Sequence, residues 1–509
     1  MKRVLGLCVL SIALACLGAA AEEPILGGTL RMGVVQDVST FDPHVYAGAV
    51  YCQVQMNVYD QLIGVATNGD FAPQLALSWE TEDSQVYVLH LRNGVRFSNG
   101  NDFTSADVVY SFERILNPEI AASRREAMSQ IEKVEAVDSL TVKITLKQPN
   151  ALFLGTLALY GCTMVDKEWA EAGGDFTREM MGTGPFMLST YEKGVRYSFV
   201  RNPNYWESGK PYLDGYTVVF IQNATARMNA LRNKEADFVD FVPWQEMSAL
   251  RYQGFTITPS LSTAMFVRLN TTRPPLDNKL VRQALNYAID RELLNFLAWG
   301  GFGEPLKAGL IPEGTSYYSE DLERWEYDPG KAITLLAEAG YKPEDISLVL
   351  ESMDWVGHSD SATIIQEQLS SLGIRVKLTI QPIPLIAEKR QTGDYLMLID
   401  GQKPTSPDPD FYTNWFHSSL GGQYAVGTGF SLPELDRLLE EGRTVSDPAE
   451  REAIYRAVET LLLDEAPWIF LQYRPDGEAT ANSVKGYVGL PGVLALYNQA
   501  YLENVWLSK

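Results

Sequence analysis

The sequence is poor in the residues that build metal and redox centres. Four cysteines and four histidines in 509 residues are too few and too scattered for a zinc framework or an iron–sulfur cluster. Positive charge is also short, since 42 Lys and Arg against 64 Asp and Glu leave a net charge of −22. With no Lys/Arg run to form a local basic groove, this balance argues against a nucleic-acid partner or a broad attraction to anionic lipid. Long apolar runs are missing except at residues 4–17, a stretch shorter than the ~20 residues a membrane helix needs. No G-x-S-x-G, H-E-x-x-H, G-x-x-x-x-G-K-[ST] or C-x-x-C occurs, which removes the common hydrolase, zinc-protease, nucleotide and thiol-redox signatures. Gly182-Thr183-Gly184 and Gly301-Phe302-Gly303 each begin a G-x-G but lack the third glycine of a dinucleotide fingerprint. Neither a linker nor an internal repeat divides the chain. What remains is 46% hydrophobic and 11% aromatic, the make-up of a globular chain that, at ~100–200 residues per domain, holds two to four interwoven domains.

The N-terminus sets the compartment. Lys2 and Arg3 precede the apolar run, and Ala19-Ala20-Ala21 supplies the small residues of a signal-peptide cleavage site. Cleavage before Glu22 removes two cations and no acid, taking the net charge from −22 to −24. The expectation is a secreted, soluble, periplasmic protein. A lipoprotein attached through Cys16 is the less favoured alternative, because Ala13 stands where such signals usually carry Leu. Cys8 and Cys16 leave with the signal, so Cys52 and Cys162 either form one disulfide or remain as two buried thiols.

Hydrophobic periodicity outlines the elements. A strand opens at Gly28, followed by Phe41-Asp42-Pro43 as a turn and an apolar-spaced run ending at Asp60. Residues 86–91 and the alternating Leu140, Val142, Ile144 and Leu146 read as strands. Between them Thr104, with Asp107 three residues on, opens a helix that Asn117-Pro118 ends. Val281, Ala284, Leu285, Ala288, Ile289, Leu293, Phe296 and Leu297 predict one long helix with one buried face. Residues 346–350, 364–372 and 374–378 form a strand, a helix and a strand, and so a partly parallel sheet. Asp447, Pro448 and Glu450 start a helix to about Asp464, and strand-like sequence runs from Tyr473 to Trp506.

Two groups could carry chemistry on residue type alone. Asp408 and Asp410 could form an acid–base pair, but Pro407 and Pro409 beside them fit a rigid turn better. His44, His90, His358 and His417 are far apart in sequence and read as structural or exposed, so no metal is expected.

The positive signal is a series of longer blocks. Ala72-Pro73-Gln74-Leu75-Ala76-Leu77-Ser78-Trp79 is followed by Tyr87, Leu91-Arg92-Asn93-Gly94-Val95-Arg96-Phe97, Gly100, Phe103, Thr104, Asp107-Val108 and Ser111. Next come Gly182-Thr183-Gly184-Pro185-Phe186, Asn202-Pro203-Asn204-Tyr205-Trp206, residues 231–237, and Pro275-Leu276-Asp277-Asn278 leading into residues 281–291. In this order, from about Gly28 to the C-terminus, they resemble the bacterial extracellular solute-binding proteins, family 5, which serve dipeptide, oligopeptide and nickel ABC importers. Their turn glycines and first-turn acids are folding devices, so most of the signature should be scaffold.

The resemblance implies an α/β, two-lobed periplasmic-binding-protein fold of class II, cluster C type, with an extra β-rich subdomain inserted in lobe I. Lobe I would comprise 22–267 plus 475–509, with the insert at about 68–180, and lobe II 268–474. The implied function is capture of a small solute by hinged lobe closure and its delivery to an ABC permease, by a monomer without cofactor or catalysis. Readings from other classes are a secreted hydrolase using Asp408 or Asp410, and a signalling receptor that presents its ligand.

The resemblance also places ligand-binding residues. Tyr46 and Tyr51 fall where the nickel-binding branch has pocket residues, though helix packing explains them equally. Thr183, Trp244, Asn270, Asp354 and Trp355 fall in segments that border the cleft, where aromatic rings offer flat area with a polar handle. In the loop of residues 401–412, peptide-binding relatives place an ammonium-binding Asp three residues before the Asp-Pro pair. Here that position is Thr405, whose hydroxyl cannot neutralise a buried ammonium. The substitution points away from free peptides and toward an opine-like conjugate, an oligosaccharide or a modified peptide, unless Asp408 supplies the charge.

Overall fold

Alternation along the strands builds the first sheet. In Val86–Leu91, Tyr87, Leu89 and Leu91 turn inward while His90 faces solvent. Four antiparallel strands result, in the order Ala76–Thr81, Val86–Leu91, Thr141–Leu146, Ile131–Asp138. The helix Ser105–Leu116 lies against them, its Val108, Phe112 and Ile115 sharing one core with Leu89, Val142 and Ile144. Thr104 caps it as expected: the Thr104 amide donates to Asp107 Oδ2 at 2.8 Å, a reciprocal capping box. The computed structural model describes residues 23–509 except 39, 46–53, 67, 69, 314, 323–324, 356, 405–407, 422–426, 446 and 490–500. The expected signal peptide, Cys16, Tyr46, Tyr51, Cys52 and Thr405 lie outside the described residues.

A second, larger sheet runs through the rest of the chain. Among the described residues its order is Arg375–Gln381, Ser347–Met353, Met397–Gln402, Thr256–Leu269, Trp468–Thr480, Phe238–Val239, Thr29–Val34, Gly215–Phe220, Arg196–Arg201, Phe186–Glu192. The first three are mutually parallel, and the helix His358–Ser371 connects Ser347–Met353 to Arg375–Gln381 as the predicted strand–helix–strand unit. Phe238–Val239, Thr29–Val34 and Gly215–Phe220 form a second parallel set. The long antiparallel strands Thr256–Leu269 and Trp468–Thr480 join the two sets, in register from Thr256 opposite Thr480 to Arg268 opposite Trp468. Their ladder is interrupted between Ser260 and Thr263, facing Asp476 and Arg474. Two residues, Leu261 and Ser262, there stand opposite one, Pro475, which has no amide to donate, so the strand bulges. Separate cores lie on either side, one around Leu30, Phe186 and Tyr216 and one around Val267, Leu285 and Ile365.

Two sequence expectations need correction. The long helix of residues 281–297 is two helices, Lys279–Tyr287 and Arg291–Trp299. Asp290 starts the second by accepting the Leu293 amide at 2.9 Å, a cap that competes with helix continuation. The second helix buries Leu294, Ala298 and Trp299 and leaves Leu293, Phe296 and Leu297 exposed. The last long strand begins at Trp468 rather than Tyr473.

Candidate functional site

The sequence blocks meet at one buried carboxylate. Asp60 accepts hydrogen bonds from Thr183 Oγ1 at 2.8 Å, Trp206 Nε1 at 3.0 Å and Gln74 Nε2 at 3.0 Å, so three separate motifs converge on it. Burial pushes its pKa up to about 6, against the lowering effect of these bonds. Arg92, from another block, lies 4.2 Å over the Trp206 ring. The glycines of Gly182-Thr183-Gly184 have a steric cause: a Cβ on Gly182 would sit 2.0 Å from Val58 O, and the Gly184 amide donates to that oxygen at 2.9 Å. Thr183, expected in the cleft, is fully buried and committed to Asp60.

Asn270 is likewise committed. Its Nδ2 donates to Gly393 O and Tyr395 O, each at 3.1 Å, and its Oδ1 accepts from the Thr272 amide and hydroxyl. Asp408 is bound by Arg451 through two bonds of 2.6 and 2.8 Å, with both side chains about 5% exposed or less. Asp410 is bound by Arg443 at 2.9 and 3.0 Å. The two carboxylates therefore brace a loop against the helices Pro433–Gly442 and Pro448–Glu465, and neither presents the free oxygen that acid–base work requires. Cys162 is a free, buried thiol whose pKa burial pushes up to about 12.

A different set of residues gathers where the long strands bulge. Arg474 faces Thr263 across the ladder, and its guanidinium carbon lies 4.6 Å from the Trp355 ring centroid. Trp355, 47% exposed, stacks on His358 at 5.3 Å. Burial, reinforced by Arg474, drives the His358 pKa down to about 3, so the ring is neutral at physiological pH. Asp476 Oδ2 stands 3.6 Å from Arg474 Nη2 and 3.9 Å from Lys403 Nζ. Asp354, next to Trp355, is exposed, with its amide donating to Gln381 O at 2.8 Å. Trp244 opens the helix Trp244–Tyr252; its ring is 6.5 Å from that of Trp299, and its buried Nε1 has no acceptor. Of the cleft residues expected from sequence, Asp354 and Trp355 thus belong to this region and Trp244 borders it, whereas Thr183, Asn270 and Asp408 are held elsewhere. Arg474, Lys403 and Asp476 were not singled out from sequence, and His358 was read there as structural or exposed. The one signal for them was Arg474-Pro475-Asp476, a proline inside strand-like sequence, which marks a bulge.

This architecture is that of the periplasmic binding proteins. It superposes on an unliganded open form of the murein tripeptide-binding protein MppA with a TM-score of 0.86, at 23% identity, covering 96% of this chain and 99% of that one. With the agropinic acid complex of the binding protein AgaA from A. tumefaciens R10, the TM-score is 0.69 at 31% identity, covering 95% and 99%. The glutathione-binding protein GsiB of Salmonella paratyphi A is 29% identical over 520 residues, spanning 96% of this chain and 98% of that protein. The model of "Bacterial extracellular solute-binding proteins, family 5 Middle" matches residues 70–424. The chain belongs to that family of solute-binding proteins.

Proposed function

We propose that this protein is the periplasmic solute-binding component of an ABC importer, closing two lobes on one small acidic peptide-like or opine-like solute and delivering it to the permease. The observation that carries this reading is the site at the strand bulge, where Trp355 and His358 stack beside Arg474 of a sheet-joining strand, with Trp244 packed near Trp299. The glutathione-binding relative GsiB and the AgaA complex with agropinic acid support the solute class, and both compounds carry carboxylates.

The lobes on this reading are 22–267 with 475–509, and 268–474, with a β-rich insert at about 68–180. The bulge between Ser260 and Thr263 is their hinge. Better agreement with an open form at 23% identity than with a ligand complex at 31% supports reading the structure as the open state. A signal peptide cleaved before Glu22 would deliver a soluble monomer to the periplasm, and among the described residues no helix is long and apolar enough to cross a membrane.

The test is closure. Solution scattering and thermal melting are recorded with and without glutathione, agropinic acid and a neutral oligosaccharide. A true ligand at a hundredfold excess over Kd adds about 2.7 kcal/mol of stability and reduces the radius of gyration. A ligand that stabilises without compaction would refute hinged closure.

A further inference from the structure

Among the described residues, several arginines that are buried or partly buried hold close acceptors. Arg114 makes bonds of 2.5 and 3.0 Å to Asp42, and Arg451 and Arg443 hold Asp408 and Asp410. Arg227 and Arg291 donate to backbone carbonyls. Arg474 differs. Its side chain is only 13% exposed, its Nε is buried without an acceptor, and Asp476, at 3.6 Å, is beyond hydrogen-bond distance. A guanidinium in that state forgoes hydrogen bonds that charge-assisted acceptors would make strong. In a protein with 64 acidic residues, acceptors were available to close the site.

We infer that Arg474 is a ligand-anion subsite, taking one carboxylate of the solute in its free fork while Trp355 covers the guanidinium from the other face. This inference rests on the solute-binding reading above and narrows it to carboxylate-bearing solutes. Three features favour a single carboxylate. The fork matches a carboxylate's two oxygens. Asp476 nearby, itself within 3.9 Å of Lys403, disfavours a doubly charged phosphate. His358, held neutral by its burial, brings an unpartnered Nδ1 that can bond a polar group beside the carboxylate without adding charge. Trp355, half exposed, can shift on closure and exclude water from the pair, which strengthens it.

The experiment uses the mature full-length protein, with glutathione, agropinic acid, the carboxyl esters of both and a neutral oligosaccharide as calorimetric probes, each followed by scattering. The expected result is binding of at least one acid, weakened about thirtyfold or more by esterification and by Arg474→Gln, with Arg474→Lys recovering part of the loss because it keeps the charge but not the fork. The ligand-free melting temperature of each variant reports its folding, and the ester arm on the unaltered protein stands even if a variant does not fold. Equal binding of acids and esters overturns the subsite and leaves the solute-binding reading intact, as does an unaffected Arg474→Gln protein. Binding of the oligosaccharide alone has the same meaning. Binding of no probe, with no compaction, overturns both.

Discussion

Replacing Asp408 by alanine separates two roles that sequence alone could not. The carboxylate is 4% exposed and its partner Arg451 5%, joined by two bonds. Asp408 Oδ1 also accepts the Asp410 amide at 2.9 Å. Arg451 additionally donates to Gly442 O at 2.9 Å and Tyr317 Oη at 2.8 Å, so it stays buried when Asp408 is removed. Stranding such a cation costs about 3–5 kcal/mol. With an unfolding entropy of ~2.1 cal/mol/K per residue, a ~200-residue lobe that melts alone loses about 7–12 °C. A ~500-residue unit melting as a whole loses about 3–5 °C. Differential scanning calorimetry resolves either. A second variant, Asp408→Ala with Arg451→Met, removes the stranded charge and should recover much of the loss. Ligand affinity, measured below the melting range, should change little. An Asp408→Ala protein that melts within about 1 °C of the parent but no longer binds its solute would refute the scaffold role and make Asp408 the ligand's charge partner.

Glu459 is buried, accepts the Tyr412 hydroxyl at 2.5 Å, and has its pKa pushed up to about 7 by that burial. The native state therefore holds a proton that the unfolded chain releases above its own lower pKa. That contribution is full below the unfolded pKa and is lost as pH rises through about 7, by at most about 1.4 kcal/mol per pH unit. Between pH 5 and 8, urea titrations should show Glu459→Gln gaining on the parent as pH rises; a difference that is flat with pH counts against a protonated Glu459. Gly182→Ala should lower the melting temperature by several degrees, because its Cβ would press 2.0 Å from Val58 O and backbone must move. An unchanged melting curve would contradict that packing. Cys162, with its thiol pKa near 12, should resist aromatic disulfide reagents at pH 8 until the protein unfolds, and rapid native labelling traced to Cys162 by mass spectrometry would contradict its burial.

How much of this was legible depended on how far apart the partners lie. Thr104 with Asp107, and Asp447 with Glu450, are pairs three residues apart, and the structure has both caps. The strand–helix–strand unit ending at Gln381 followed from the hydrophobic patterning of residues 346–378. The break at Asp290 was hidden because Leu293, Phe296 and Leu297 continue beyond it the helical spacing of Val281, Ala284, Leu285 and Ala288. Spacing reports the face a residue shares, not the side of the protein that face meets. Asp408 was read as a site residue because its partner, Arg451, is 43 positions away and no local pattern joins them.

Separation along the chain also explains why the sequence blocks and the candidate ligand site are different residues. Gln74, Thr183 and Trp206 bond one buried carboxylate, Asp60, and each acceptor oxygen in such a cluster must be matched or its desolvation goes uncompensated. That requirement fixes residue types at many positions at once, which is why long blocks can be recognised by reading along the chain. Ligand recognition imposes the opposite condition on Arg474: it must lack an internal acceptor while remaining held. The bulge meets that condition: the rigid Pro475 stands between Arg474 and Asp476 where the ladder shifts register, and the two charges lie 3.6 Å apart. A single arginine beside a proline carries no periodicity and no spacing rule, and only the pairing of strands some two hundred residues apart gives it meaning. Substituting Pro475 by alanine should then restore an amide at the bulge, free the backbone beside it and bring Arg474 and Asp476 together. The ligand-free protein should melt higher and bind carboxylate probes more weakly, and a variant that gains stability without losing affinity would show that the proline does not hold the guanidinium open.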